Sequence, residues 1–163
     1  MAEKTTVNAD LEAKSLLVER VFDAPRELVF KAWSEAERLS QWWGPRLWPT
    51  TYCTVDFRLG GVWHYCMTGP GGTQSWGKAV YTEIVPPERI VYTDMFSDEA
   101  GNSLAGMPTM VITVEFVDLG GKTKLVSRAE FASKEELESL MQMGMVQGLT
   151  ETWDRLEEYL AQV

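Results

Sequence analysis

Histidine is almost missing from this 163-residue sequence, and His64 is the one imidazole. Cysteine is nearly as scarce: Cys53 and Cys66 are the only two, and they form no Cys-x-x-Cys pair. A zinc site takes about four N, S or O ligands in closely spaced sets, so no metal centre is expected. No Gly-x-Ser-x-Gly occurs either, which leaves a serine-hydrolase triad without its usual setting. No cofactor is expected. Apolar runs are only a few residues long, far short of the roughly 18 that cross a bilayer, so membrane insertion is not expected. The first six residues, Met1-Ala2-Glu3-Lys4-Thr5-Thr6, lack an apolar signal segment, which points to a cytoplasmic protein. Positive charge is also short: 15 Lys and Arg stand against 24 Asp and Glu, a net of −9. Without a cationic cluster there is nothing to displace counterions from phosphates, so nucleic acid is not an expected partner. Cys53 and Cys66 flank the Gly60-Gly61 turn, so a disulfide is conceivable. In a reducing compartment, free thiols acting as small hydrophobes are the expectation.

What the sequence does hold is tryptophan, seven of them, and eight methionines. Such side chains either fill an irregular core or line an adaptable apolar pocket. Length and an apolar share of 45% suit one domain with a sizeable core. Residues 1–14 are polar and without periodicity, and read as a flexible tail before a single domain over 15–163. Ser15–Phe22 reads as a strand, and Pro25 opens the first of two short helices. Six strands follow over about residues 51–131, with turns at Gly60-Gly61, Gly69–Gly72, Pro86-Pro87 and Gly120-Gly121. Ser133 and Glu136 make a capping box. From there, Met145, Leu149, Trp153, Leu156 and Leu160 mark the apolar stripe of a helix of about seven turns. Gly144 and Gly148 lie beside that stripe, for packing or for a bend. The class is α+β: a curved antiparallel sheet of about seven strands wrapped around a long C-terminal helix. One helix does not fill a curled sheet, so an apolar cavity between them is expected.

Particular stretches sharpen this. They are Phe22-Asp23-Ala24-Pro25-Arg26-Glu27-Leu28-Val29-Phe30-Lys31-Ala32-Trp33, Trp42-Trp43-Gly44-Pro45, Gly60-Gly61-Val62-Trp63, Ile84–Thr93 and Trp153-Asp154-Arg155-Leu156-Glu157. In this order the sequence resembles the helix-grip superfamily of START domains, birch-pollen-allergen-like proteins and polyketide cyclases. Within it, the sequence resembles the family named after the C-terminal domain of the activator of the ninety-kilodalton heat-shock protein ATPase. The resemblance implies a sheet gripping the last helix with a cavity between. Members of the family include ligand binders, proteins that trap toxic compounds, cochaperone domains and a few enzymes.

Trp33 and Trp43 flank the short helices and either plug the core or wall the pocket. Trp63, Tyr65 and Met67 alternate and are assigned to the concave face, with His64 and Cys66 on the other. The opposite register would exchange the two sets and bring His64 into the cavity. Trp76, Tyr92, Met141, Met145, Leu149 and Trp153 complete the expected lining. Glu83, Asp94 and Glu115 lie mid-strand, and an outward, solvated position is expected for each. A carboxylate turned inward would gain a raised pKa and acid–base capacity. Tyr92 and Phe96 share a strand face with Asp94. His64, Glu83 and Glu115 are the catalytic candidates. The first reading is a module binding a lipid, polyketide or aromatic compound, which enters between Trp42-Trp43 and a loop over Ser97–Pro108 that is long enough to act as a lid. Binding without turnover is expected. The alternatives are a cyclase or hydratase using the same cavity, and a module acting on a chaperone partner through surface aromatics such as Trp48. A homodimer stays open.

Overall fold

Alternating apolar residues build the largest share of this chain into strands. The computed structural model describes residues 4–163. The strands are β1 (Thr6–Asp10), β2 (Ser15–Phe22), β3 (Thr50–Val55), β4 (Val62–Thr68), β5 (Gln74–Val85), β6 (Arg89–Phe96), β7 (Thr109–Asp118) and β8 (Thr123–Phe131). Helices α1 (Arg26–Ser34) and α2 (Ala36–Trp42) follow β2, and α3 (Lys134–Gln142) and α4 (Met145–Leu160) close the chain. All eight strands join one sheet in the order β1-β2-β8-β7-β6-β5-β4-β3. From β3 to β8 each strand pairs antiparallel with the next in the sequence, and β2 returns to pair with β8. The α+β, helix-grip arrangement is therefore the observed one. Among the described residues, no helix is long and apolar enough to cross a membrane.

Two elements correct the sequence reading. Part of the expected tail is a strand: β1 pairs with β2, Thr6 opposite Glu19 and Asp10 opposite Ser15. The sheet thus has eight strands, not seven. Most of β1 is exposed, so it carries no inside–outside alternation. Backbone hydrogen bonds hold it, and those leave no mark in composition. The tail assignment for residues 1–3 lies outside the described residues. The long C-terminal helix is likewise two helices. Gly144 takes φ +93°, a left-handed conformation that ends α3 and lets α4 start in a new direction. Gly148 has the packing role, because a Cβ there would lie 3.4 Å from the Pro45 ring. The expected cap at the start of α3 is present, with Ser133 Oγ accepting from the Glu136 N–H at 3.1 Å.

The core lies between the inner sheet face and the helices. Phe22, Phe30, Trp33, Trp42, Phe116, Leu125 and Leu156 are buried there. Two arginines hold α4 in place. Arg20 points inward from β2, its side chain wholly buried, and pairs with Asp154 at 2.7 Å and Glu157 at 3.2 Å. Arg155 donates to the carbonyls of Gln41 (3.1 Å), Trp43 (3.2 Å) and Gly44 (2.8 Å). These carbonyls lie at and just beyond the C-terminus of α2, where helical partners run out. The Trp153–Glu157 stretch thus carries both anchors of α4.

Candidate functional site

The first turns of α4 do not close onto the sheet. A cavity of about 510 Å³ remains between them and the inner faces of β2 and β4 to β8. Its upper wall is Met145, Leu149, Thr152 and Trp153 of α4, with Leu140 of α3 and Met143 just beyond that helix. Trp33, Trp43, Pro45 and Trp48 close one side, and Met110, Ile112 and Pro108 another. Met143 is 72% exposed and stands at the rim. The indole N–H groups of Trp33, Trp43 and Trp153 are buried and unpaired.

The sheet floor holds one polar construction. Tyr65 of β4 reaches across β5 and donates its hydroxyl to Asp94 Oδ1 of β6 at 2.9 Å. The crossing depends on Gly77, the β5 residue opposite Tyr65. A Cβ at Gly77 would lie 2.6 Å from the Tyr65 hydroxyl oxygen. Asp94 sits opposite Ala79 and Met110 in the neighbouring strands. It is the only acidic or basic side chain among the described residues that line the cavity. Burial pushes its carboxyl up to about 7, against the lowering effect of the Tyr65 hydroxyl and the Met95 N–H. Burial, and then the charge of Asp94, raises Tyr65 and Tyr92 well above the usual tyrosine value. Both phenols stay neutral. The site therefore combines an apolar enclosure with a single carboxyl that changes charge near neutral pH.

Eight expected lining residues border this cavity: Trp33, Trp43, Tyr65, Trp76, Tyr92, Met145, Leu149 and Trp153. Trp76 does so only by its place on β5. Its indole packs 5.1 Å from His64 and 5.3 Å from Tyr52, on the outer face. The reason is register, since Trp76 lies opposite Cys66. Trp63 is one layer below the cavity, fully buried, with its ring 4.6 Å from Trp43 and 5.0 Å from Tyr65. Met141 is also outside the lining, beside Ala9, Leu11 and Glu138. The break at Gly144 uncouples its helical phase from that of Met145.

The three catalytic candidates lie elsewhere. Trp63, Tyr65 and Met67 take the inner face, so His64 faces outward, its Nε2 3.2 Å from the Asp98 carbonyl oxygen. That contact ties the 97–108 loop to the outer surface. Glu83 and Glu115 flank the half-exposed Arg89 at 3.6 and 3.4 Å, away from the cavity. Asp94 is the mid-strand carboxylate that turns inward, contrary to the outward expectation. Its phase with Tyr92 and Phe96 was the sequence signal. Trp48, expected on the surface, instead lies against Gly69 at the cavity edge. Cys53 pairs with Tyr65 and Cys66 with Tyr52, which puts the two thiols on opposite faces. Burial raises the Cys53 thiol to about 11. Among the described residues, no three His, Cys, Asp or Glu side chains gather as a metal site.

Solved structures share this architecture. A protein from Arthrobacter aurescens is 32% identical, with 97% of this chain and 92% of that one covered and a TM-score of 0.90. Protein Ms6760 from Mycobacterium smegmatis is 27% identical over 94% of each chain, TM-score 0.86. A protein from Staphylococcus epidermidis is 29% identical, over 96% of this chain and 94% of that one, TM-score 0.81. No curated protein matches the sequence. Residues 23–161 match the family described as Activator of Hsp90 ATPase homolog 1-like protein. With this match across most of its length and with the fold shared, the chain belongs to that family.

Proposed function

We propose that the protein binds a hydrophobic or amphipathic small molecule in the hollow between the sheet and α4. The observation that carries this reading is the cavity of about 510 Å³, walled by aromatic and methionine side chains. A ligand there gains about 25 cal/mol for each Å² of apolar surface removed from water, before association costs. Those costs are reduced because Arg20 and Arg155 hold the frame in place beforehand. Met67, Met110 and Met145 let the walls follow different ligand shapes. Binding is favoured over cyclase or hydratase chemistry because His64, Glu83 and Glu115 lie outside the cavity. Among the described residues, the only further titratable group in its wall beside Asp94 and Tyr65 is the Tyr92 phenol, which burial keeps neutral. A cytoplasmic setting belongs to the same reading.

The test is a titration of tryptophan emission, paired with thermal unfolding, against fatty acids, alkylamines and flat aromatic compounds. Saturable emission changes with a raised Tm are expected for at least one class. No response from any class would refute the reading. The family description supplies a second reading, a chaperone-directed role. Stimulation of a purified Hsp90 ATPase, unaffected by a cavity-filling Leu149→Trp change, would favour it.

A further inference from the structure

Resting on the ligand reading above, we propose that the occupant is a hydrophobic amine. Its ammonium group is seated at Asp94 and its apolar body lies among the aromatic and methionine side chains. The case begins with an unbalanced charge. Asp94 lines the hollow, and no Lys, Arg or His does so among the described residues. Tyr65 brings it a hydroxyl but no countercharge. A carboxylate in an apolar enclosure is costly unless a cation pairs with it.

The placement is constructed, not incidental. Gly77 clears the path by which Tyr65 reaches Asp94, and that path spans three strands. The surrounding walls suit a cation as well. Trp43, Tyr65, Tyr92 and Trp153 border the same space, and aromatic faces attract ammonium groups. The net charge of −9 favours cations around the whole protein. A fatty acid would set like charge against Asp94, and a neutral alcohol would leave it unpaired.

The pH behaviour follows from the groups facing Asp94. These are Tyr65 from β4 and Tyr92 from β6, both neutral, with Ala79 of β5 and Met110 of β7 opposite it in the sheet; Met145 and Leu149 of α4 line the same cavity. None supplies positive charge. An alkylamine stays protonated below about pH 10, like a lysine. Its affinity therefore rises with pH as the Asp94 carboxyl, held up to about 7, gives up its proton.

The experiment compares decylamine, decanol and decanoate by calorimetric titration at pH 8, with the matching naphthylmethyl amine, alcohol and naphthylacetate as a second skeleton. The expected result is an amine at least tenfold tighter than its alcohol, with the carboxylate weakest. Asp94→Asn should bring the amine to the level of the alcohol. Between pH 5.5 and 8 the amine should gain about tenfold in affinity relative to the alcohol, a comparison that needs no variant. Equal binding of amine and alcohol, a tighter carboxylate, a flat amine profile, or an amine preference that survives Asp94→Asn would each overturn the amine assignment while leaving the ligand reading intact. Failure of all six probes to bind would overturn both.

Discussion

The two halves of α4 meet the same sheet and do different things. In the C-terminal half, Trp153, Leu156 and Leu160 are buried, and Arg20 and Arg155 pin the helix from either side. In the N-terminal half no residue from Met145 to Thr150 is buried. That half starts at a left-handed Gly144 without a side-chain cap. Below the C-terminal half the space is filled by core side chains such as Phe22, which packs on Trp153; below the N-terminal half it is hollow. One amphipathic stripe thus serves as core at one end and as a cavity wall at the other. The difference lies in what anchors it, since no change in apolar character along the helix marks the boundary.

Truncation should separate the halves most strongly. Leu156→Ala should cost about 2–5 kcal/mol in chemical denaturation, the range for a fully buried leucine. Leu149→Ala, already beside empty space, should cost less than about 1 kcal/mol. Equal losses would mean that the two ends pack alike. Next comes the charge in the hollow. The folded-state pKa of Asp94, about 7, lies above its ordinary 3.8. Between those values the folded chain keeps a proton that the unfolded chain releases, so stability falls as pH rises through this window and levels off above 7. Asp94→Asn removes that loss. It should be more stable than the parent by about 1–3 kcal/mol at pH 8 and nearly equal at pH 4. Denaturation curves at the two pH values check this, and a parent that is more stable at pH 8 would contradict it.

Removing the second anchor should have a smaller effect. Arg155→Met keeps much of the packing but loses the bonds to three carbonyls, for about 1–2 kcal/mol. Its amide exchange should quicken at the end of α2 and along α4, and not in β6 or β7. The smallest effect is expected on the outer face. Glu83→Gln removes one half-exposed partner of Arg89 and should move stability by less than about 0.5 kcal/mol and ligand binding not at all. A clear loss of binding would return Glu83 to the site.

Strand alternation made much of this legible. The Trp63-Tyr65-Met67 set was placed on the correct face because three large side chains need burial more than one imidazole. What escaped was whatever depends on two elements at once. Asp94 faces inward by its phase with Tyr92 and Phe96, but its hydroxyl partner Tyr65, which reaches it over Gly77, is a coincidence of three strands that no single pattern displays. Met141 was placed by extending one helical phase through Gly144, where the backbone breaks it. The facing of Trp76 was not fixed by the sequence pattern, and its register with Cys66 sets its indole on the outer face. β1 escaped because backbone pairing holds an edge strand whose side chains mostly face water.

The hollow under the first turns of α4 can be addressed through its methionines. Met67, Met110 and Met145 border it, and Met141 sits in a separate recess behind α3. In a protein labelled with ¹³C at the methionine methyls, titration with decylamine should shift the first three resonances saturably and leave Met141 in place. Unmoved resonances throughout, or a Met141 shift as large as the others, would contradict a ligand site between the sheet and α4.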